Sequence, residues 1–102
     1  MHFLSTKRLR AFWEVHEEAK EPLTAFRKVV EKAEWKNFSD IRTVYSAKVS
    51  KVGTCYVFNI RNNDFRLVAK ISYDWTRLQV CVVMTHKEYD SANWKDTCQC
   101  NS

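Results

Sequence analysis

The chain has 102 residues, 45% of them apolar and 14% aromatic, with a single Gly and a single Pro. That is enough for one domain with one buried core, and no stretch approaches the ~20 apolar residues of a membrane span. Lys and Arg number 17 against 12 Asp and Glu, a net charge of +5 that favours an anionic partner, nucleic acid or an acidic protein.

In chain order, "HFLS" is expected to make a short first strand. Its apolar run is too short for a signal peptide, and charges follow it where they should precede it, so a cytoplasmic protein is expected. From Thr6 the period turns helical, with Leu9, Phe12, Trp13 and His16 at i, i+3, i+4 and i+7. "EEAKEP" breaks that run, and Pro22 suits the first turn of a second helix, where its missing N–H costs nothing. Leu23, Phe26, Val30 and Ala33 are that helix's buried stripe. Ser39 can cap one further turn through Arg42.

After residue 45 the period becomes two. "CYVFNI" (55–60), "FRLVAKISY" (65–73) and "LQVCVVM" (78–84) read as three strands joined by "RNND" and "DWTR". Residues 46–54 are a loop or an edge strand. The order is strand, two helices, three-stranded meander and short C-terminal helix, an α+β fold with an antiparallel sheet and the helices packed on one face. No linker or repeat divides it, so residues 1–102 form one domain.

Strand parity places Arg66, Val68, Lys70 and Ser72 on one face and Phe65, Leu67, Ala69 and Ile71 on the other. A tight hairpin pairing Ile60 with Phe65 sets Asn59 opposite Arg66. A four-residue loop pairing Tyr73 with Leu78 sets Thr85 opposite Arg66 from the other side. That leaves Phe58, Ile60, Val80, Val82 and Met84 on the helix-covered face. The open face then carries Asn59, Arg66 and Thr85 in a row, with Lys70 further along.

Thr85 and Glu88 make a capping box that starts the last helix. His86 opens that helix, and Tyr89, three residues on, shares its face. Arg66, His86 and Tyr89 fit cleavage of a phosphodiester by RNA's own 2′-hydroxyl: one group takes the hydroxyl proton, the arginine stabilises the phosphorane and another group protonates the leaving oxygen. Asn59, Arg61, Lys70, Thr85 and Lys87 are the expected RNA contacts. No metal and no cofactor is needed. The same residues also have a plainer reading, in which Thr85 and Glu88 only cap, His86 is a surface residue, Tyr89 packs the helix, and Arg66 and Lys70 belong to a solvated sheet face. The four Trp read as core or hairpin-tip residues, His2 and His16 as structural. No helix has the basic face of a DNA reader.

Cys55, Cys81, Cys98 and Cys100 are expected to be free thiols. Cys98-Gln-Cys100 has the wrong spacing for zinc and lies in a tail expected to fray. Cys55 and Cys81, on either side of the central strand and so roughly 10 Å apart, are too distant to bridge.

The blocks "LRAFWEVHEEAKEPL", "KVVEKAEWKNFSDIR", "VFNI", "FRLVAKISY" and "THKEYD" occur in the order found in the HigB family of toxins, which the chain resembles through nearly its whole length. The resemblance implies a RelE-like fold and an mRNA interferase, usually ribosome-dependent, neutralised by a helix-turn-helix, HigA-like antitoxin. Asn59, Arg66, Thr85, His86, Tyr89 and Asp90 are its matching positions. The hairpin departs from the family's usual Gly-containing turn, since Arg61-Asn62-Asn63-Asp64 replaces it and Asp64 brings a negative charge to the expected RNA face. A non-catalytic relative that only binds RNA or an antitoxin is the rival reading.

Overall fold

The computed structural model describes residues 1–91 and 93–100. Of the "QCNS" tail, Asn101 and Ser102 therefore lie outside the described residues. The elements are β1 (His2–Leu4), α1 (Thr6–Val15), a 3-10 turn (Glu17–Ala19), α2 (Lys20–Lys32), α3 (Phe38–Tyr45), β2 (Val49–Val52), β3 (Cys55–Ile60), β4 (Phe65–Ser72), β5 (Arg77–Thr85), α4 (His86–Asp90) and α5 (Trp94–Thr97). Among the described residues no helix is long and apolar enough to cross a membrane.

The architecture is α+β. One five-stranded sheet runs β1-β5-β4-β3-β2. β2 to β5 form an antiparallel meander, and residues 49–52 are its edge strand. β1 lies parallel to β5, so the sheet is mixed and not antiparallel throughout. Three residues of strand carry no directional signal in the sequence.

Leu9 of α1, Leu23, Phe26 and Val30 of α2, and Ile41 of α3 pack onto Phe58, Ile60, Leu67, Ala69 and Val80. Every side chain in this layer obeys the helical or two-residue period of its own element. α3 is longer than the single turn expected, and its cap is Asn37, whose Oδ1 accepts from the Asp40 N–H, in place of Ser39. His16 is structural as expected, stacked on Phe12 with ring centroids 4.5 Å apart.

Two features of the sheet differ from the sequence reading. The first is register. β3 and β4 pair as expected, with Ile60 opposite Phe65 and Asn59 opposite Arg66. Between β4 and β5, however, Ile71 pairs with Leu78, and Cys81 is an extra residue between the Ala69–Val80 and Val68–Val82 pairs. This β-bulge flips every later side chain of β5 to the other face. Arg66 therefore faces Met84, and Thr85 lies opposite Phe65. Val82 and Met84 leave the helix-covered face, and Val83 takes their place against it. The Cys81 carbonyl, out of the ladder, accepts a 2.6 Å bond from Nη1 of Arg8.

The second is the other sheet face. It is not open, because the helices are not confined to one side. α4 and α5 fold back across it, and Trp94, Cys98 and Cys100 bury against Cys55, Val57, Val68 and Met84. Cys55 and Cys100 are joined in a disulfide, with Cα atoms 5.1 Å apart, so these two are not free thiols, and Cys98 and Cys100 of the tail expected to fray are buried. Cys81 and Cys98 are free, and Cys55 does not bridge to Cys81.

Candidate active site

The site forms where the β3–β4 hairpin meets the end of β5 and the start of α4. The hairpin sets its near wall. Arg61 and Asn62 adopt left-handed backbone, φ 51° and 59°. Asparagine takes this conformation readily, and arginine does so at a cost. The turn is closed by the Asp64 N–H donating to the Arg61 carbonyl and by Arg61 Nη1 pairing with Asp64 Oδ2 at 3.1 Å. The acidic residue that replaces a neutral turn is thereby countered within the hairpin itself. Asn59 Nδ2 donates to Asn63 Oδ1 at 3.2 Å, and the His86 N–H donates to the Asp64 carbonyl at 3.1 Å. Hairpin and helix start are thus one unit.

Arg66 opens β4. Its side chain was expected on an exposed face, yet the residue is only 8% exposed. Nη1 donates to the carbonyls of Asn63 and Phe65 at 2.9 and 3.2 Å. Its Cζ lies 5.2 Å from the centroid of the Tyr89 ring. Tyr89 in turn stacks on Trp94, with centroids 5.1 Å apart and planes at 17°, and Trp94 Nε1 donates to the Tyr89 carbonyl at 3.0 Å. A guanidinium over an aromatic face is an electrostatically favourable contact that also fixes its plane. Arg66 therefore arrives at the site with its orientation already set.

The capping box forms as expected. Thr85 Oγ1 accepts from the Glu88 N–H, and Glu88 Oε1 accepts from the Thr85 N–H at 3.0 Å and from its hydroxyl at 3.1 Å. This occupies Thr85 in positioning α4, so it is not presented beside Arg66. His86 is exposed, and its Nδ1 lies 3.1 Å from Oδ2 of Asp90 one turn later. A carboxylate on Nδ1 holds the proton there, so in the neutral ring Nε2 is the acceptor.

The structure brings Arg66, His86 and Tyr89 to one end of the sheet, with Asn59 and Arg61 on the adjoining hairpin. Lys87 is exposed on α4. Lys70 is not among them: it lies further along β4, and its Nζ donates to the Gln99 carbonyl at 3.0 Å. Trp94 is buried, in line with its reading as a core or hairpin-tip residue, but its support of Tyr89 was not foreseen. Its signal was Trp94 and Cys98 four apart in an otherwise polar tail, the spacing of one helix face.

A family model described as HigB toxin, the RelE-like toxic component of a toxin–antitoxin system, matches residues 19–92. The chain belongs to this family. It is 29% identical over 92 residues, 88% of either chain, to the mRNA interferase toxin HigB of Escherichia coli strain K12. The mRNA interferases HigB of Escherichia coli O157:H7 and Shigella flexneri match at the same identity and coverage. The matched span of this HigB-family chain contains Asn59, Arg61, Arg66, Lys70, Thr85, His86, Lys87 and Tyr89, and it ends before Trp94.

Proposed function

We propose that this chain is an endoribonuclease that cleaves mRNA engaged on the ribosome, the toxin of a pair whose antitoxin is a small helix-turn-helix protein. The observation that carries the reading is the Arg66–Tyr89 stack beside His86, whose Nδ1 is held by Asp90. Family membership and the relatives named mRNA interferase support it.

The chemistry needs one base, one acid and one fixed cation. Nε2 of His86 takes the proton from a 2′-hydroxyl, and the freed oxygen attacks the adjacent phosphorus. Charge grows on the phosphoryl oxygens, where Arg66 donates. Tyr89 passes its phenolic proton to the leaving 5′ oxygen, giving a 2′,3′-cyclic phosphate and a new 5′-hydroxyl. All three protein groups are side chains of this chain, and the proton count closes without a metal. Asn59, Arg61 and Lys87 contact the RNA backbone around them.

Cleavage of translated mRNA by wild type, Arg66→Lys and His86→Ala tests the reading. Arg66→Lys keeps the charge and loses the fork, and is expected to lower the rate ~100–1,000-fold, or ~2.7–4 kcal/mol, the worth of one transition-state donor. RNA binding without cleavage by the wild type would make the chain a non-catalytic relative. Cleavage of naked mRNA at the same rate as ribosome-bound mRNA would remove the ribosome from the reaction.

A further inference from the structure

The four cysteines converge on the sheet face that also carries Arg66, further along the strands from the candidate catalytic groups. Cys55 begins β3, Cys81 is the bulged residue of β5, and Cys98 and Cys100 follow α5; Cys55, Cys98 and Cys100 are buried in one cluster with Trp94, and Cys81 and Tyr89, partly buried, pack against it. We propose that the Cys55–Cys100 disulfide is a redox clamp that holds the C-terminal tail on the sheet and, through Trp94, keeps the Tyr89–Arg66 stack in its catalytic position. The proposal rests on the ribonuclease reading for its effect on activity.

Three observations carry it. The first is connectivity: the disulfide spans 45 residues and ties the tail to the strand next to the one that bears Arg66. The second is what else holds the tail. Thr54 Oγ1 donates to the Cys100 carbonyl at 3.0 Å, Lys70 Nζ donates to the Gln99 carbonyl at 3.0 Å, and the Thr54 N–H also reaches Cys100. These bonds sit near solvent, and water can replace them. The disulfide adds to them, and to the packing of Trp94 and Cys98, a covalent link that water cannot replace. The third is the position of Trp94, which meets the site by stacking on Tyr89 and donating Nε1–H to its carbonyl.

The two free thiols fit a clamp that keeps its pairing. A thiolate, not a thiol, attacks a disulfide. Cys98, beside Cys55, is pushed up to about 12, first by burial and then by the neighbouring Cys81 thiol. It stays protonated near neutral pH and does not exchange into the adjacent bridge. Opening thus requires an external dithiol. One thiolate of that reductant attacks Cys100 Sγ, displacing Cys55 as a thiolate that takes up a proton. The reductant's second thiol then displaces Cys100. Two electrons and two protons pass to the protein, which holds two thiols, and the reductant leaves as its own disulfide. Oxidation by a disulfide-form dithiol reverses each step.

The test compares the full-length chain oxidised and after reduction with dithiothreitol, by amide hydrogen exchange and by mRNA cleavage. Reduction is expected to speed exchange in residues 93–100 while β3 and β4 stay protected. The turnover rate should fall on the order of 100-fold, the effect of a misplacement of about 1 Å, with KM little changed. Reoxidation restores both. Cys100→Ser should behave as the reduced protein in either buffer, and Cys81→Ser should keep the full redox response. Exchange that responds while neither form cleaves RNA sinks the ribonuclease reading and leaves the clamp standing. Unchanged exchange and turnover on reduction would overturn the clamp, and so would one zinc ion per chain bound by the four reduced cysteines.

Discussion

Three side chains of different burial share the candidate chemistry, and their burial decides how each can be probed. Arg66 is buried beneath Tyr89. Its removal to alanine therefore loses packing as well as charge, and a loss of toxicity in Arg66→Ala is not by itself a catalytic result. Tyr89→Phe is cleaner. It keeps the ring, hence the stack on Trp94 and the face under Arg66, and removes only the hydroxyl. Cleavage is expected to fall ~100-fold, the lower range for a positioned acid, with the melting temperature unmoved. Full activity in Tyr89→Phe would reduce Tyr89 to a packing residue. Asp90→Asn probes the orientation of His86 and should cost less than His86→Ala, because the imidazole remains. If Asp90→Asn is as inactive as His86→Ala, Asp90 does more than orient the ring.

At the scale of elements, α4 is a five-residue helix that no hydrophobic stripe could fix by itself, so its start carries the positional information. Thr85→Ala removes the hydroxyl that accepts from the Glu88 N–H and leaves only the backbone half of the capping box. Loss of such a cap costs typically ~1 kcal/mol, which for a domain of this size is a fall in melting temperature of about 4–8 °C. Thermal unfolding measures it, and a Thr85→Ala melt that overlays wild type would show that contacts to β5 and Trp94 hold the helix without its cap. The same elements show what could be read in advance. The capping box was legible because its two residues are three apart in the chain. So was the Asn59–Arg66 pairing, since a four-residue turn fixes register over the few residues beyond it. The Thr85–Arg66 pairing was not, because the bulge at Cys81 leaves no mark in a run of apolar residues that fits either register. Covering of the second sheet face was not legible for a related reason: three buried residues in a seven-residue polar tail look like a frayed end until the sheet they land on is known. The outcome for the site is specific. Arg66 and Tyr89 are in contact, His86 opens the helix that bears Tyr89, and Thr85 and Lys70 are engaged elsewhere.

For the whole molecule the balance of +5 and the half-buried tyrosines make separate predictions. With Lys70 bonded to Gln99, Arg66 buried and Arg61 paired with Asp64, Lys87 is the expected RNA contact most open to phosphate. Each phosphate neutralised on single-stranded RNA contributes about −0.7 to the slope of log affinity against log salt, so Lys87→Ala should flatten that slope by ~0.7. An unaltered slope would take Lys87 off the RNA. Stability at high pH is set by the core. Tyr45 is packed among Phe26, Trp35 and Phe58, and burial pushes its hydroxyl up to about 12. Tyr73 is raised further, by burial first and then by the 2.9 Å bond it donates to the Tyr56 hydroxyl. An unfolded tyrosine ionises near pH 10. The folded state thus holds these protons more tightly than the unfolded chain does, so their contribution is complete below pH 10 and drains away as pH rises toward 12. A wild-type curve alone sums every group in the chain and does not isolate one tyrosine. Urea midpoints of wild type and Tyr45→Phe, taken at intervals from pH 9 to 12, isolate its contribution. The variant should lose stability less steeply above pH 10, and parallel curves for the two proteins would mean that the Tyr45 hydroxyl titrates in the folded core as freely as in water.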